Sequence, residues 1–127
     1  MGSDENVRIV QQFLAAFNRH RLDPLIRLTT ADQSLSLPDG TAARERLATG
    51  RLIAWVLWRS RGTLRMTPLS VRAQSEREVW VRTRNTARRN DTTLDLEMTL
   101  TFTVDHGRIS AIREAVDDLQ GWMSFWR

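Results

Sequence analysis

Apolar residues Val7, Val10, Phe13, Leu14 and Phe17 recur at three- and four-residue spacing, which predicts an amphipathic helix with one buried stripe. Ser3 stands at its N-cap position, with Asp4 and Glu5 in the first turn. Asn18 to Leu22 interrupts the period. Asp23-Pro24 restarts it, the acid as N-cap and the proline at the first helical position, and Leu25, Ile26 and Leu28 make a short one-sided second helix. Ser34-Leu35-Ser36-Leu37 then alternates as a short strand that ends at the turn cluster Pro38-Asp39-Gly40. Thr41 is placed to cap the longest helix, expected from Ala42 to about Ser60, with Leu47, Leu52, Trp55, Val56 and Trp58 on a broad apolar face and Gly62 as terminator.

Past Gly62 the period changes to two. Leu64 and Met66 alternate up to Pro68, and Leu69, Val71 and Ala73 resume, so the proline predicts a bulge or an edge in that strand. After a turn at Gln74 to Arg77, Val79, Val81, Thr83, Asn85 and Ala87 alternate with Trp80, Arg82, Arg84 and Thr86, and Asn90-Asp91 closes a hairpin. The strictest alternation is Leu94, Leu96, Met98, Leu100, Phe102 and Val104 against Asp95, Glu97, Thr99, Thr101 and Thr103, a long strand with one face on a core and one face wet. Asp105-His106-Gly107 reverses the chain into a last strand running to about Asp117. Leu119 to Arg127, with Trp122, Phe125 and Trp126, is an apolar tail expected to fold back onto the rest.

Helices followed by a run of antiparallel strands, in 127 residues, predict one α+β domain over residues 1–127 with a single core. The absence of cysteine excludes a disulfide framework and a thiolate metal site, leaving packing as the source of stability and the cytoplasm as the expected address. Met1 to Val10 has no apolar run and carries two acids, so it resembles neither a signal peptide nor a membrane span. The net charge of +4 comes from 19 basic residues that are all arginine. Only Arg88-Arg89 are adjacent, whereas phosphate tracking needs a clustered stripe, so nucleic acid is not the expected partner.

The order of these elements, with a small strand and a proline-glycine turn before the third helix, resembles the cone-shaped nuclear transport factor 2-like superfamily. Phe13-Leu14-Ala15-Ala16-Phe17-Asn18-Arg19-His20-Arg21-Leu22-Asp23 is similar to its first helix and turn, and Asp105-His106-Gly107-Arg108-Ile109 to its last hairpin. Asp117 stands where the SnoaL-like branch commonly carries an acid closing the final strand. The resemblance implies a curved antiparallel or mixed sheet wrapped around three N-terminal helices, with an internal apolar pocket. It does not fix the chemistry, because the superfamily includes polyketide cyclases, ketosteroid isomerases, epoxide hydrolases and noncatalytic pocketed proteins. The isomerases' base position is occupied by Leu37, their second pocket acid falls near Leu100, and their tyrosine has no counterpart in a chain without tyrosine. The limonene-type epoxide hydrolases, and less closely the SnoaL-type cyclases, place a base three residues before the closing acid, the position of Glu114. The hydrolases also need an Arg-x-Asp pair, and Arg82-Thr83-Arg84 lacks the acid. The resemblance therefore implies a cofactor-independent cyclase, isomerase or hydrolase type of secondary-metabolism protein, or a pocketed binding protein without catalysis.

Taken without the family, Ile112, Glu114 and Val116 alternate, so if the apolar pair faces inward the carboxylate does too, and burial would raise its pKa toward that of a usable base. A shift of one residue reverses the faces. In that register, with Ile109, Ala111, Arg113, Ala115 and Asp117 inward, Asp117 is the candidate acid and Glu114 an ion-pair partner. The candidate pocket for an apolar ligand comprises Phe17, Trp55, Trp58, Thr83, Asn85, Met98, Leu100, Ile112 and Trp122, with Trp126 near its mouth; Thr83 and Asn85 are placed to orient Glu114 or polarise a substrate oxygen. Trp55 and Trp58 fit core packing as readily. His20 and His106 fall in polar turns, and with no cysteine or clustered acids neither a metal site nor another cofactor is expected. Trp80, on the outward face among Arg82, Arg84 and Thr86, points to a homodimer surface.

Overall fold

A computed structural model describes residues 2–127 and gives an α+β fold: a curved six-stranded mixed sheet folded about the helices as a cone rather than a closed barrel. Helices α1 (Gly2–Asn18) and α2 (Leu22–Arg27) lead into strand β1 (Thr29–Ser36), strand β2 (Ala42–Arg44) and helix α3 (Arg46–Arg59). Strands β3 (Arg65–Ala73), β4 (Glu78–Arg89), β5 (Thr92–Asp105) and β6 (Arg108–Val116) follow, and helix α4 (Leu119–Trp126) ends the chain. The strand order is β2-β1-β6-β5-β4-β3, antiparallel except where β1 runs parallel to β6.

The concave face carries the core. Leu94, Met98, Leu100, Phe102 and Val104 of β5 are buried and Leu96 is half-buried, so the strict alternation sets the register of the whole sheet. Phe102 meets Phe13 of α1 edge-on, with ring centroids 5.6 Å apart. Asn18 pins the end of α1 to β3: its amide donates to the Met66 carbonyl and its oxygen accepts the Met66 N–H, each at 2.9 Å. Asn6 fixes the other end by donating to the Glu76 carbonyl at 2.8 Å.

Several sequence expectations are corrected. Helix α1 already includes Gly2, so Ser3 lies inside it; α2 starts at Leu22, which puts Asp23 and Pro24 within its first turn, where a missing N–H is tolerated. Strand β1 begins at Thr29 rather than Ser34. Thr41 does not cap a helix: the Pro38-Asp39-Gly40 turn closes a hairpin, with the Leu37 N–H bonded to the Thr41 carbonyl, and Ala42–Arg44 pairs back along Ser34–Ser36. Helix α3 starts only after Glu45, whose φ of 72° breaks the strand.

The inward stripe of α3 is Thr49 and Val56, continued by Ser60 at its C-cap and flanked by Leu52, Ile53 and Leu57. Leu47 and Trp58 lie roughly half a turn around the helix from Val56, at about 100° per residue, and are 68% and 70% exposed. The tail is helix α4, capped by Asp118, which accepts the Gly121 N–H at 2.9 Å. It buries Trp122, Phe125 and Trp126 over the mouth of the cone and packs against β5. The expected bulge is present at Pro68, where the β3–β4 register shifts between Pro68 and Ser70.

Candidate functional site

The register of β6 decides which acid enters the cone. Ile109 opposes Val104 and is fully buried, but the pairing with β5 slips between Thr103 and Val104, leaving Ser110 unpaired. Beyond this bulge the inward phase changes from odd to even. Ile112 opposes Phe102, Glu114 opposes Leu100 and Val116 opposes Met98, all inward positions of β5. Both candidate registers thus occur in succession, one on each side of Ser110. Asp117 shares the outward phase with Arg113 and Ala115; its side chain is 87% exposed and pairs with Arg82 at 3.0 Å, so the alternative assignment of Asp117 to the interior is wrong.

Glu114 opens on a narrow, partly open cavity of about 40 Å³ whose walls include Phe17, Leu35, Leu37, Val56, Asn85 and Trp122. Glu114 is half-buried as a residue, and desolvation of its carboxyl pushes it up from 4.5 to about 8, with no hydrogen bond or ion pair among the described residues to offset the cost. Thr83 and Asn85 do share the inward phase of β4, but they satisfy each other: the Thr83 hydroxyl donates to Asn85 Oδ1 at 2.6 Å, and the Asn85 amide donates to the Met98 sulfur at 2.7 Å.

Beyond this cavity lies an open groove of about 370 Å³ lined by Leu37, Leu52, Trp55, Trp122, Met123 and Trp126, among others. Leu37, Trp122 and Trp126 belong to both spaces and form the partition between them. The Trp126 indole stacks at a tilt between Trp55 and Trp122, with centroids 5.8 and 5.9 Å away, and its Nε1–H is buried without a hydrogen-bond partner among the described residues. Of the sequence-designated residues, Phe17, Asn85, Glu114 and Trp122 meet at the cavity and Trp55 lines the groove. Thr83, Met98, Leu100 and Ile112 form the packed wall behind, and Trp58 stands apart on the solvent side of α3. Sequence reasoning missed Leu35, Leu37 and Val56 as lining residues, although the alternation of Leu35 and Leu37 already marked that face of β1 as inward. Among the described residues no group of three acids or histidines is placed to hold a metal ion.

A family model for the SnoaL-like domain matches residues 10–112. The chain belongs to the SnoaL-like family. No curated protein matches it. Among solved structures, the SnoaL-like chain is similar to Bal32a from a soil-derived mobile gene cassette, with a TM-score of 0.94, 27% identity and both chains covered in full. A protein from Xanthomonas campestris provisionally assigned as a polyketide cyclase gives a TM-score of 0.80 at 18% identity, again over 100% of both chains. A Mycobacterium tuberculosis LEH-like epoxide hydrolase gives 0.76 at 20% identity, over 98% of this chain and 90% of that one. At these last two identities the likeness shows the SnoaL-like fold alone.

Proposed function

We propose that this SnoaL-like protein is a cofactor-independent cytoplasmic enzyme of secondary metabolism, of the cyclase, isomerase or hydrolase type, that acts on an apolar carbonyl compound with Glu114 as general base. The observation that carries the proposal is the solitary carboxyl of Glu114 at the end of an apolar cavity, its pKa raised to about 8 by burial. Such a group takes a proton from carbon next to a carbonyl: the C–H electrons pass to the carbonyl oxygen as an enolate, and the acid then holds the proton. In a cyclisation the enolate carbon attacks a second carbonyl of the same molecule, and Glu114 returns the proton to the alkoxide formed there.

A cavity of about 40 Å³ holds only the reacting end of a substrate. The body of the molecule fits the groove of about 370 Å³ between Trp55, Trp122 and Trp126, within the range of small-molecule sites. Passage requires the aromatic side chains of α4 to swing aside. The unpaired Trp126 Nε1–H is the donor in the partition best suited to a developing oxyanion, since a buried orphan donor gains most from a charged acceptor. A second reading, a pocketed binding protein without turnover, draws support from the fact that Thr83 and Asn85 bond each other and leave Glu114 without a polar companion.

The test is the pH profile of a 1,3-diketone's enolisation or aldol closure, with Glu114→Gln as control. With a base whose pKa is about 8, kcat/KM should climb about tenfold per pH unit through neutrality and level off above that value. Glu114→Gln should lose turnover at least a hundredfold, on the order of a general base's contribution, while apolar ligands still bind. A flat profile, or equal rates in the variant, would leave the binding-protein reading.

A further inference from the structure

A cleft of about 660 Å³, separate from Glu114 and its groove, is lined by His20, Trp58, Arg59, Arg61, Arg89 and Asn90 with Leu57 and Gly62. Three chain reversals converge on it: the turn after α1, the connection from α3 to β3, and the β4–β5 hairpin. Each contributes a residue in the left-handed region, with φ of 56° at His20, 54° at Arg61 and 54° at Asn90. Asparagine and histidine take this conformation readily at turns, which lets three reversals sit side by side here.

Three of the side chains that line the cleft are arginines, and none is an acid. Arg59, Arg61 and Arg89 form no ion pair among the described residues, and no carboxylate lines the cleft. Arg59 Nε donates to the Trp126 carbonyl at 3.2 Å and one N–H of Arg89 to the Phe125 carbonyl, so each commits one arm of its guanidinium to the end of α4 and keeps the others. Burial, and then the charges of Arg59 and Arg61, lower the pKa of Arg89, as expected where like charges crowd without a counterion. Beside them lies the Trp58 indole, 70% exposed to solvent.

We propose that this cleft binds a phosphorylated aromatic small molecule, its oxyanion held by Arg59, Arg61 and Arg89 and its ring laid against Trp58. Guanidinium forks suit the oxygens of a phosphate, and an exposed indole suits a planar ring. A ligand of this kind supplies the counterion that the chain itself does not.

The probe is 1-naphthyl phosphate, titrated into the protein while the indole N–H resonances are followed by NMR, with the Trp58 signal assigned by its loss in Trp58→Phe. Saturable movement of the Trp58 signal is expected, with 1-naphthol at least tenfold weaker. Arg61→Asn is the informative variant, because asparagine accepts the left-handed backbone and Arg61, unlike Arg59 and Arg89, does not hold α4. It should weaken naphthyl phosphate about tenfold or more, whereas Glu114→Gln should bind like the parent. Equal affinity for naphthol and its phosphate, a Trp58 signal that stays put, or a loss of binding in Glu114→Gln would each overturn the proposal, the last by placing the ligand in the other cavity. Tighter binding of short single-stranded DNA would overturn it as well, since the surface would then be a nucleic-acid site. Should Arg61→Asn fail to fold, the Trp58 shifts of the unaltered protein still decide the matter.

Discussion

Glu114 carries a stability cost that can be measured without knowing any substrate. Its carboxyl titrates near 4.5 when exposed and at about 8 in the fold. Below the lower value both states hold the proton and folding is unaffected; as pH rises from there to about 8 the unfolded chain releases its proton while the folded one keeps it, so stability falls across that window and then levels off. Glu114→Gln removes the titration. The variant should therefore melt with the parent at pH 4 and above it at pH 8, by a gap worth a few kcal/mol at about 1.4 kcal/mol per pKa unit. Coincident melting at both pH values would mean that the carboxyl is solvated. The residue was legible because Ile112 and Val116 flank it in alternation, but its phase was not: sequence periodicity does not show which single residue will be squeezed out of a ladder, and Ser110 settles that here.

At the scale of elements, strict alternation was the most reliable guide. In β5 it placed Phe102 correctly at the centre of the core, fully buried and edge-on to Phe13. Phe102→Ala should cost about 3 to 5 kcal/mol, read as a shift in the urea midpoint; a loss below 1 kcal/mol would mean that the cavity closes or that the ring is dispensable. Helix α3 was less legible, because its tryptophans dominate any count of apolar residues while its buried side is made of Thr49 and Val56, with Ser60 at its C-cap. Its start was misplaced for a related reason. Ala42–Arg44 has no strand signal of its own and becomes a strand only because the Pro38-Asp39-Gly40 hairpin lays it against β1, a tertiary effect that local propensity does not record.

For the molecule as a whole, the convex face of the sheet is the surface that we propose joins two copies. Trp80 is 38% exposed there, with the Arg72 guanidinium 5.5 Å over its ring, and Arg82 and Arg84 form cross-strand pairs with Glu97 and Asp95. An aromatic anchor within a self-complementary charge pattern suits an isologous two-fold contact. Light scattering should return twice the 14.7 kDa of one chain, and Trp80→Glu should bring it back to one; a parent protein that stays monomeric at high micromolar concentration would remove this surface from consideration.

The two outer strands of the sheet bear on the same question. A strand with free N–H and C=O groups along its rim is a template on which further chains can grow without limit. Here one rim is β2, only three residues long, and the other is β3, where Pro68 has no N–H to offer and the register slips beside it. A chain arriving at either rim finds too short or too uneven a row of partners to zip along. Growth by strand addition is therefore blunted at both ends, and an encounter between two molecules is steered away from fibre formation and toward contacts made by side chains, which close once and stop.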